Sequence, residues 1–253
     1  MDLQLKGRKA IVTGGSKGIG RAIADLLADE GCNVAICARN EAEVNSAVAA
    51  LRKKGVKAFG QAFDVRDKAA LEAWVKAAAS SLGGIDIVVA NVSALDMDRS
   101  ESAWQNEFEI DMLHTVRTVE AALPAIEQSD AGSILVISSV SGLEYDFTSP
   151  AYGTFKAALI HYASRMASAL AAKHIRVNSV SPGNTYFEGG VWQRIEQNMP
   201  DLFKTALAKN PWGRMATAEE VANASAFLVS PRASFITGVN VVVDGGLTNR
   251  IQF

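Results

Sequence analysis

Short runs rich in Val, Ile and Ala alternate with longer stretches of helical periodicity along nearly the whole chain, and few architectures accommodate that alternation. Residues 9–13, 33–38, 58–63, 85–90, 133–138, 176–180 and 239–243 read as seven strands. Several are almost continuously apolar, as strands covered on both faces are. Between them, 19–30, 41–54, 68–81, 102–127, 151–173 and 218–229 carry helical periodicity, and Gly31 and Gly55 follow two of these helices where a terminating glycine belongs. The pattern predicts an α/β fold with a doubly wound, seven-stranded parallel sheet and helices on both faces. The stretch 184–215 breaks the rhythm. It contains Gly189, Gly190, Pro200 and Pro211, and the large apolar residues Trp192, Met199, Phe203 and Trp212 read as exposed. A connection of that length is expected to be a lid over a site.

Composition narrows the function. Apolar residues make up 49% of the 253 residues, enough for one large core, so 1–253 reads as a single domain. Charged residues make up 21% with a formal net charge of -2, which leaves no electrostatic footprint for nucleic acid or an anionic membrane. No apolar run reaches the ~18 residues that span a bilayer. Cys32 and Cys37 flank or lie in one predicted strand with no partner cluster, so they read as core thiols rather than a disulfide or metal site, and a cytoplasmic setting is expected. No metal site is expected anywhere in the chain.

Thr13-Gly14-Gly15-Ser16-Lys17-Gly18-Ile19-Gly20 sits where the first strand becomes the first helix. Gly14, Gly18 and Gly20 permit a tight turn and bring backbone N–H groups and a helix N-terminus to a pyrophosphate, as in a Rossmann-like dinucleotide site. The second strand ends in Ala38-Arg39, without the acidic residue that would bind a ribose diol. Arg39 can fork onto a 2′-phosphate, with Lys17 adding a second positive charge, which points to NADP(H); the alternative is two ordinary surface cations. Asp64-Val65, after the third strand, is placed to hold the adenine, although Asp64 could equally be a turn or helix-capping residue.

Tyr152 and Lys156 lie four residues apart and so share a helix face. A neighbouring ammonium favours the phenolate and is expected to lower the phenol pKa from ~10. A phenol tuned in this way serves reversible carbonyl reduction as acid or base. Upstream, Ile137-Ser138-Ser139-Val140-Ser141-Gly142 offers serine hydroxyls for the same carbonyl oxygen. His114 and His161 fall within predicted helices and read as packing residues.

With these segments placed, the chain resembles the short-chain dehydrogenase/reductase family, in its single-domain oxidoreductase branch. The match runs through the glycine turn, Asp64-Val65-Arg66-Asp67, the Ser139–Tyr152–Lys156 set, Ser181-Pro182-Gly183 and Val243-Asp244-Gly245-Gly246. The closest flavour is that of 3-oxoacyl-thioester reductases and secondary-alcohol dehydrogenases. The resemblance implies hydride transfer between a nicotinamide and a carbonyl or alcohol, with Ser139, Tyr152 and Lys156 catalytic and Lys156 also on the nicotinamide ribose. It implies Ser139 by its interval before Tyr152, with Ser138 and Ser141 as turn residues. It further implies cofactor contacts from Ser16, Ile19, Val65, Asn91, Tyr152, Pro182, Gly183 and Thr185. Three departures stand out. Ala90-Asn91-Val92-Ser93 replaces the family's Asn-Asn-Ala-Gly. Asp111 stands at the usual catalytic Asn. Phe187 replaces a Thr, with Thr185 two residues earlier. Asp111 is expected to reach Lys156 through one or two waters as a proton relay, or else to be a helix-kink residue bound to backbone or water.

Selectivity is expected from Glu144, Tyr145 and Phe147 and, in the lid, from Tyr186, Phe187, Val191, Trp192 and Ile195. The predicted substrate contacts are Ser139, Tyr145, Tyr152, Phe187 and Trp192. This apolar, aromatic set favours a fairly apolar ketone or alcohol, although the aromatics could simply pack the lid. The expected function is an NADP(H)-dependent reductase of such a carbonyl or of a 3-oxoacyl group. A catabolic secondary-alcohol dehydrogenase and a weakly catalytic NADP-binding sensor or scaffold are the alternatives. The family relation implies a homotetramer or homodimer.

Overall fold

The computed structural model describes residues 2–250. Seven parallel strands form one sheet in the order β3-β2-β1-β4-β5-β6-β9. They are β1 (Lys9–Thr13), β2 (Asn33–Ala38), β3 (Ala58–Ala62), β4 (Ile87–Ala90), β5 (Ser133–Ile137), β6 (Arg176–Pro182) and β9 (Asn240–Val243). The expected seven-stranded parallel sheet is therefore present, with strand ends shifted by one or two residues. The order reverses between β1 and β4, so a crevice opens at the carboxyl ends of these strands.

Side-chain alternation along the strands feeds two cores. Ala10, Val12, Val34 and Ile36 face helices α1 (Gly18–Asp29), α2 (Glu41–Lys53) and α9 (Ala218–Val229). Ile11, Ala35, Cys37, Val88 and Val136 face α3 (Lys68–Leu82), α5 (His114–Ile126) and α6 (Pro150–Leu170). Both cysteines are buried and free, and burial pushes each thiol up to about 12. No helix among the described residues is long and apolar enough to cross a membrane.

Two stretches differ from the sequence reading. The single helix expected over 102–127 is broken into α4 (Glu101–Glu107), a π-helical turn (Phe108–Leu113) and α5. The wide turn is sealed by side chains: Thr115 Oγ1 donates to the Asp111 carbonyl at 2.7 Å, and His114 Nδ1 lies 2.8 Å from the Ile110 carbonyl. The stretch 184–215 is not a structureless loop either. It holds β7 (Thr185–Tyr186), α7 (Val191–Asn198) and α8 (Pro200–Ala208), and β7 pairs with β8 (Ala216–Thr217). Trp192, Ile195, Ala206 and Met215 form a small core of their own, so Trp192, read as exposed, is 4% exposed.

Trp74 on α3 is fully buried against Phe63, with ring centroids 5.9 Å apart. Trp74→Ala should cost about 3–5 kcal/mol by urea unfolding. Trp74→Phe should cost clearly less, because the indole N–H has no hydrogen-bond partner among the described residues. Equal losses from both changes would contradict this packing.

Candidate active site

The glycine turn is built by backbone and buttressed from behind. Gly14 and Gly15 donate to the Cys37 carbonyl at 2.8 and 3.2 Å. A Cβ on Gly20 would stand 2.4 Å from the Gly14 carbonyl oxygen, so only glycine lets the helix approach its own turn. Asn91, just after β4, braces the glycine turn. Its amide nitrogen donates to the Thr13 carbonyl at 3.0 Å, and its backbone N–H donates to Thr13 Oγ1 at 3.0 Å. Thr13 Oγ1 in turn lies 2.9 Å from His114 Nε2. Burial drops His114 to about 4, so the ring is neutral near pH 7, accepts from Thr13 and donates to Ile110, in the packing role expected of it.

The cradle fits a dinucleotide. Lys17 occupies the N-cap of α1 without a side-chain hydrogen bond, and the first turn carries no acidic residue, so its amides face an anion unopposed. Arg39 and Lys17 are exposed just beyond β2 and β1. One carboxylate was missed by sequence reasoning: Glu43, in the first turn of α2, accepts from Ser16 Oγ at 3.1 Å. Asp64 accepts the Arg66 N–H at 3.0 Å and pairs with its guanidinium at 2.6 Å, which holds its carboxyl below the usual range. Asp64 thus braces the turn after β3, and Asp67 caps α3 by accepting from Ala70 N–H at 3.0 Å. Val65 and Pro182 are buried at the same edge, Gly183 abuts Asp244, and Thr185 Oγ1 donates to the Gly183 carbonyl at 3.1 Å.

Ser149 and Pro150 start α6. Ser149 Oγ accepts from the Tyr152 N–H at 3.3 Å, and proline fits the first helical position. Tyr152 therefore falls in the first turn and Lys156 one turn on. Ser139 follows β5 and leads into a short 3-10 turn, Val140–Gly142. Cβ atoms on Gly142 or Gly153 would strike the facing backbone at 2.6 and 2.8 Å, so two glycines let the serine turn lie directly on α6. Ser138 Oγ donates to the Lys156 carbonyl at 2.7 Å, and Ser139 Oγ donates to Ser141 Oγ at 3.1 Å, which donates to Asp146 at 2.5 Å.

Lys156 is 1% exposed. Its Nζ stands 2.8 Å from Asp111 Oδ1 and 3.3 Å from the Ile137 carbonyl, and 5.4 Å from the Tyr152 ring centroid. The expected link through water is thus a direct ion pair. Asp111 lies inside the π-helical turn and its Oδ2 accepts from Ala94 N–H at 2.8 Å, so the relay and kink placements coincide in one residue. Burial works to raise Asp111, but the Lys156 ammonium and hydrogen bonds outweigh it and hold the carboxyl low. Burial likewise works against the charge on Lys156, and Asp111 overcomes it and raises the lysine. The expected lowering of Tyr152 is reversed. Burial raises the phenol, and Asp111 offsets part of what Lys156 and Ser139 take away.

The substrate-side expectations fare unevenly. Tyr145 is 96% exposed. The ring of Phe187 lies over the glycine turn, within 2.6 Å of where a Cβ on Gly18 would be, rather than on the substrate side. Trp192 stacks edge-on with Phe147 at 5.3 Å and Phe203 at 6.4 Å, packing the 184–215 segment. A cavity of about 330 Å³ lies instead between the loop after β4 and α7, lined by Ala94, Leu95, Met97, Val191, Arg194 and Ile195, among others. The loop residues and Arg194 were not legible beforehand, since coil carries no periodicity to mark a wall. Ser149 Oγ donates to the Asp96 carbonyl at 2.6 Å, which ties this wall to the start of α6.

A doubly wound sheet with a glycine turn at its switch point and Ser139, Tyr152 and Lys156 beside it defines a dinucleotide-dependent oxidoreductase of the CH–OH/C=O class. A family model described as Enoyl-(Acyl carrier protein) reductase matches residues 14–248. Isoepoxydon dehydrogenase patN of Aspergillus clavatus is 40% identical over 253 residues, covering 98% of each chain. The 3-oxoacyl-(acyl-carrier-protein) reductase FabG of Vibrio cholerae is 34% identical over 250 residues, covering 97% of this chain and 99% of its own. The crystal structure of L-sorbose reductase from Gluconobacter frateurii, complexed with NADPH and L-sorbose, matches with a TM-score of 0.91 at 30% identity over 99% of this chain and 100% of that one. The chain belongs to the short-chain dehydrogenase/reductase family.

Asp111→Ala leaves a buried ammonium alone and should cost about 3–5 kcal/mol. In the native protein the lowered Asp111 carboxyl stabilises the fold above its unfolded pKa of ~3.9, and that contribution is lost as pH falls below this range. Urea unfolding between pH 3 and 7 should therefore show an acid-side loss in the wild type that is smaller in Asp111→Ala; parallel curves would refute the pairing.

Proposed function

We propose that this protein is an NADP(H)-dependent oxidoreductase that interconverts a fairly apolar ketone and its secondary alcohol, working chiefly as a reductase. The observation that carries this reading is the convergence of Ser139, Tyr152 and the buried Lys156, paired with Asp111, at the carboxyl end of the sheet beyond β5 and at the start of α6. The neighbouring cavity between the 94–97 loop and α7 is lined mainly by apolar side chains, which favours a fairly apolar carbonyl. The NADPH-bound L-sorbose reductase and the FabG relative support the cofactor and the reaction class. Arg39, exposed beyond β2, would hold a 2′-phosphate with Lys17, and the first amides of α1 would hold the pyrophosphate once the Phe187 ring over Gly18 turns aside. The segment 184–215 would act as the lid of this one-domain enzyme. When bound, the nicotinamide supplies or accepts the hydride.

The chain's own groups manage the oxygen. Tyr152, held protonated by burial, donates its proton to the carbonyl oxygen as negative charge grows there. Ser139 turns its hydroxyl from Ser141 to the same oxygen and stabilises the developing alkoxide. Lys156, kept charged by Asp111, holds a positive charge next to the phenol as it gives up its proton. In this reading a second copy covers the face where half-exposed Trp104 and Phe108 pack on Phe155, giving a homodimer or homotetramer in the cytoplasm.

Tyr152→Phe should lower turnover by on the order of 100-fold or more while leaving NADPH binding in place. Retained turnover in a ketone panel sinks the assignment. For the cofactor, Arg39→Asp should move preference to NAD(H), and Glu43→Gln, which removes the carboxylate beside Ser16, should tighten NADPH. Equal binding of NADH and NADPH by the wild type at physiological salt would refute this choice.

A further inference from the structure

Two fully buried carboxyls lie one helical turn apart behind Lys156: Glu107, the last residue of α4, and Asp111 in the π-helical turn. Each grips the loop that walls the cavity. Asp111 Oδ2 accepts from Ala94 N–H at 2.8 Å, and Glu107 Oε1 accepts from Asp96 N–H at 2.6 Å. Leu95, between them, has φ +49, a left-handed conformation that a leucine adopts only when its surroundings impose it. Ser149 Oγ holds the Asp96 carbonyl from the side of α6. The strained residue is thus fixed on both flanks, and it lines the cavity.

The charges behind this loop do not balance if both acids ionise. One ammonium faces two carboxyls, and it lies 2.8 Å from Asp111. Glu107 Oε2 is buried with no hydrogen-bond partner elsewhere among the described residues, and the Asp111 carboxylate is within its reach. A proton on Glu107 gives that oxygen a bond to donate and removes the surplus charge.

We propose that Glu107 is a positioning residue that, in its protonated form, hydrogen-bonds Asp111 and with it clamps the 94–96 wall of the substrate cavity to the buried Lys156. The clamp rests on the function proposed above only in that the cavity is where substrate binds. Burial, with Asp111 next, pushes Glu107 up to about 8. The groups facing it are Asp111 from its own helix and Lys156 and, farther, Tyr152 from α6. On the loop, the Asp96 carboxylate is turned away, to Asn106 Nδ2 and Asp98 N–H, and His114 is neutral. A carboxyl with a raised folded pKa stabilises the fold fully below its unfolded value of ~4.3, and this contribution is lost as pH rises through about 8. Above that pH two adjacent carboxylates share one ammonium, and the wall loosens.

The test compares wild type, E107Q and E107L. Gln can donate to Asp111 and accept from Asp96 without titrating; Leu can do neither. In the wild type, KM for the ketone should rise by about tenfold between pH 7 and 9, the effect of losing one hydrogen bond at the wall. E107Q should abolish that rise, and E107L should show the raised KM already at pH 7, with NADPH binding unaltered. The ligand-free proteins give a readout independent of turnover. The urea midpoint of wild type should fall from pH 5 to 9 more than that of E107Q, and exchange at the Asp96 amide, corrected for intrinsic rate, should quicken in E107L. If no ketone is turned over, the functional reading fails while these ligand-free measurements still decide the clamp. Identical pH profiles for wild type and E107Q, or slow Asp96 exchange in E107L, overturn the proposal.

Discussion

A lysine ammonium withdrawn from water to 1% exposure persists only beside a counter-charge, and the Lys156–Asp111 pair is the constraint on which the site depends. Lys156 is placed by the first two turns of α6, whose start is set by Ser149 and Pro150. Asp111 must come from the other side, and an uninterrupted α-helix over 101–126 would carry one more residue into each later position of its face. The π-helical turn at Phe108–Leu113 absorbs that residue, and Thr115 and His114 satisfy the carbonyls it disturbs. His114 also reaches Thr13, so the lysine's counter-ion and the cofactor turn hang from the same irregular stretch. Such a pair adds little stability over apolar residues of equal volume, but losing either member strands a buried charge.

What could be read beforehand follows from which physical signal each feature leaves. The buried strands announce themselves because both faces are apolar, and Gly31 and Gly55 take φ +82 and +84 where the helices end. Tyr152 and Lys156 were legible because a four-residue spacing survives any helix, and Ser139 only through the interval that the family resemblance supplies. The interruption inside 102–127 was not, since a single wide turn barely disturbs the apolar period. In 184–215 the punctuation was misassigned: Gly190 is the N-cap of α7 and Pro200 starts α8, so residues taken as loop signals are helix-start signals. Trp192 looked exposed because its partners, Phe147 and Phe203, are distant in sequence or in another short helix. Tyr145, Phe187 and the 94–97 wall depend on which way a coil turns, and no residue pattern encodes that.

The replacement of an amide by Asp111 also changes the electrostatic setting of the phenol. An unpaired ammonium one turn away would draw Tyr152 down, as the bare sequence implies. Here the ammonium is already matched, burial prevails, and the phenol is held above its ordinary value. Near neutral pH Tyr152 is therefore a neutral phenol with the proton that reduction needs, adjacent to a serine hydroxyl that can redirect from Ser141. Taking a proton from an alcohol needs the opposite state, a phenolate in the same dry environment, and Asp111 opposes its formation. Within the proposed reaction both directions cross the same transition state, so the pair that keeps Lys156 charged shifts the pH at which each runs best rather than the equilibrium between ketone and alcohol. That pH dependence is set by a residue that pairs with the lysine and not with the phenol, through the balance between one ammonium and the carboxylate beside it.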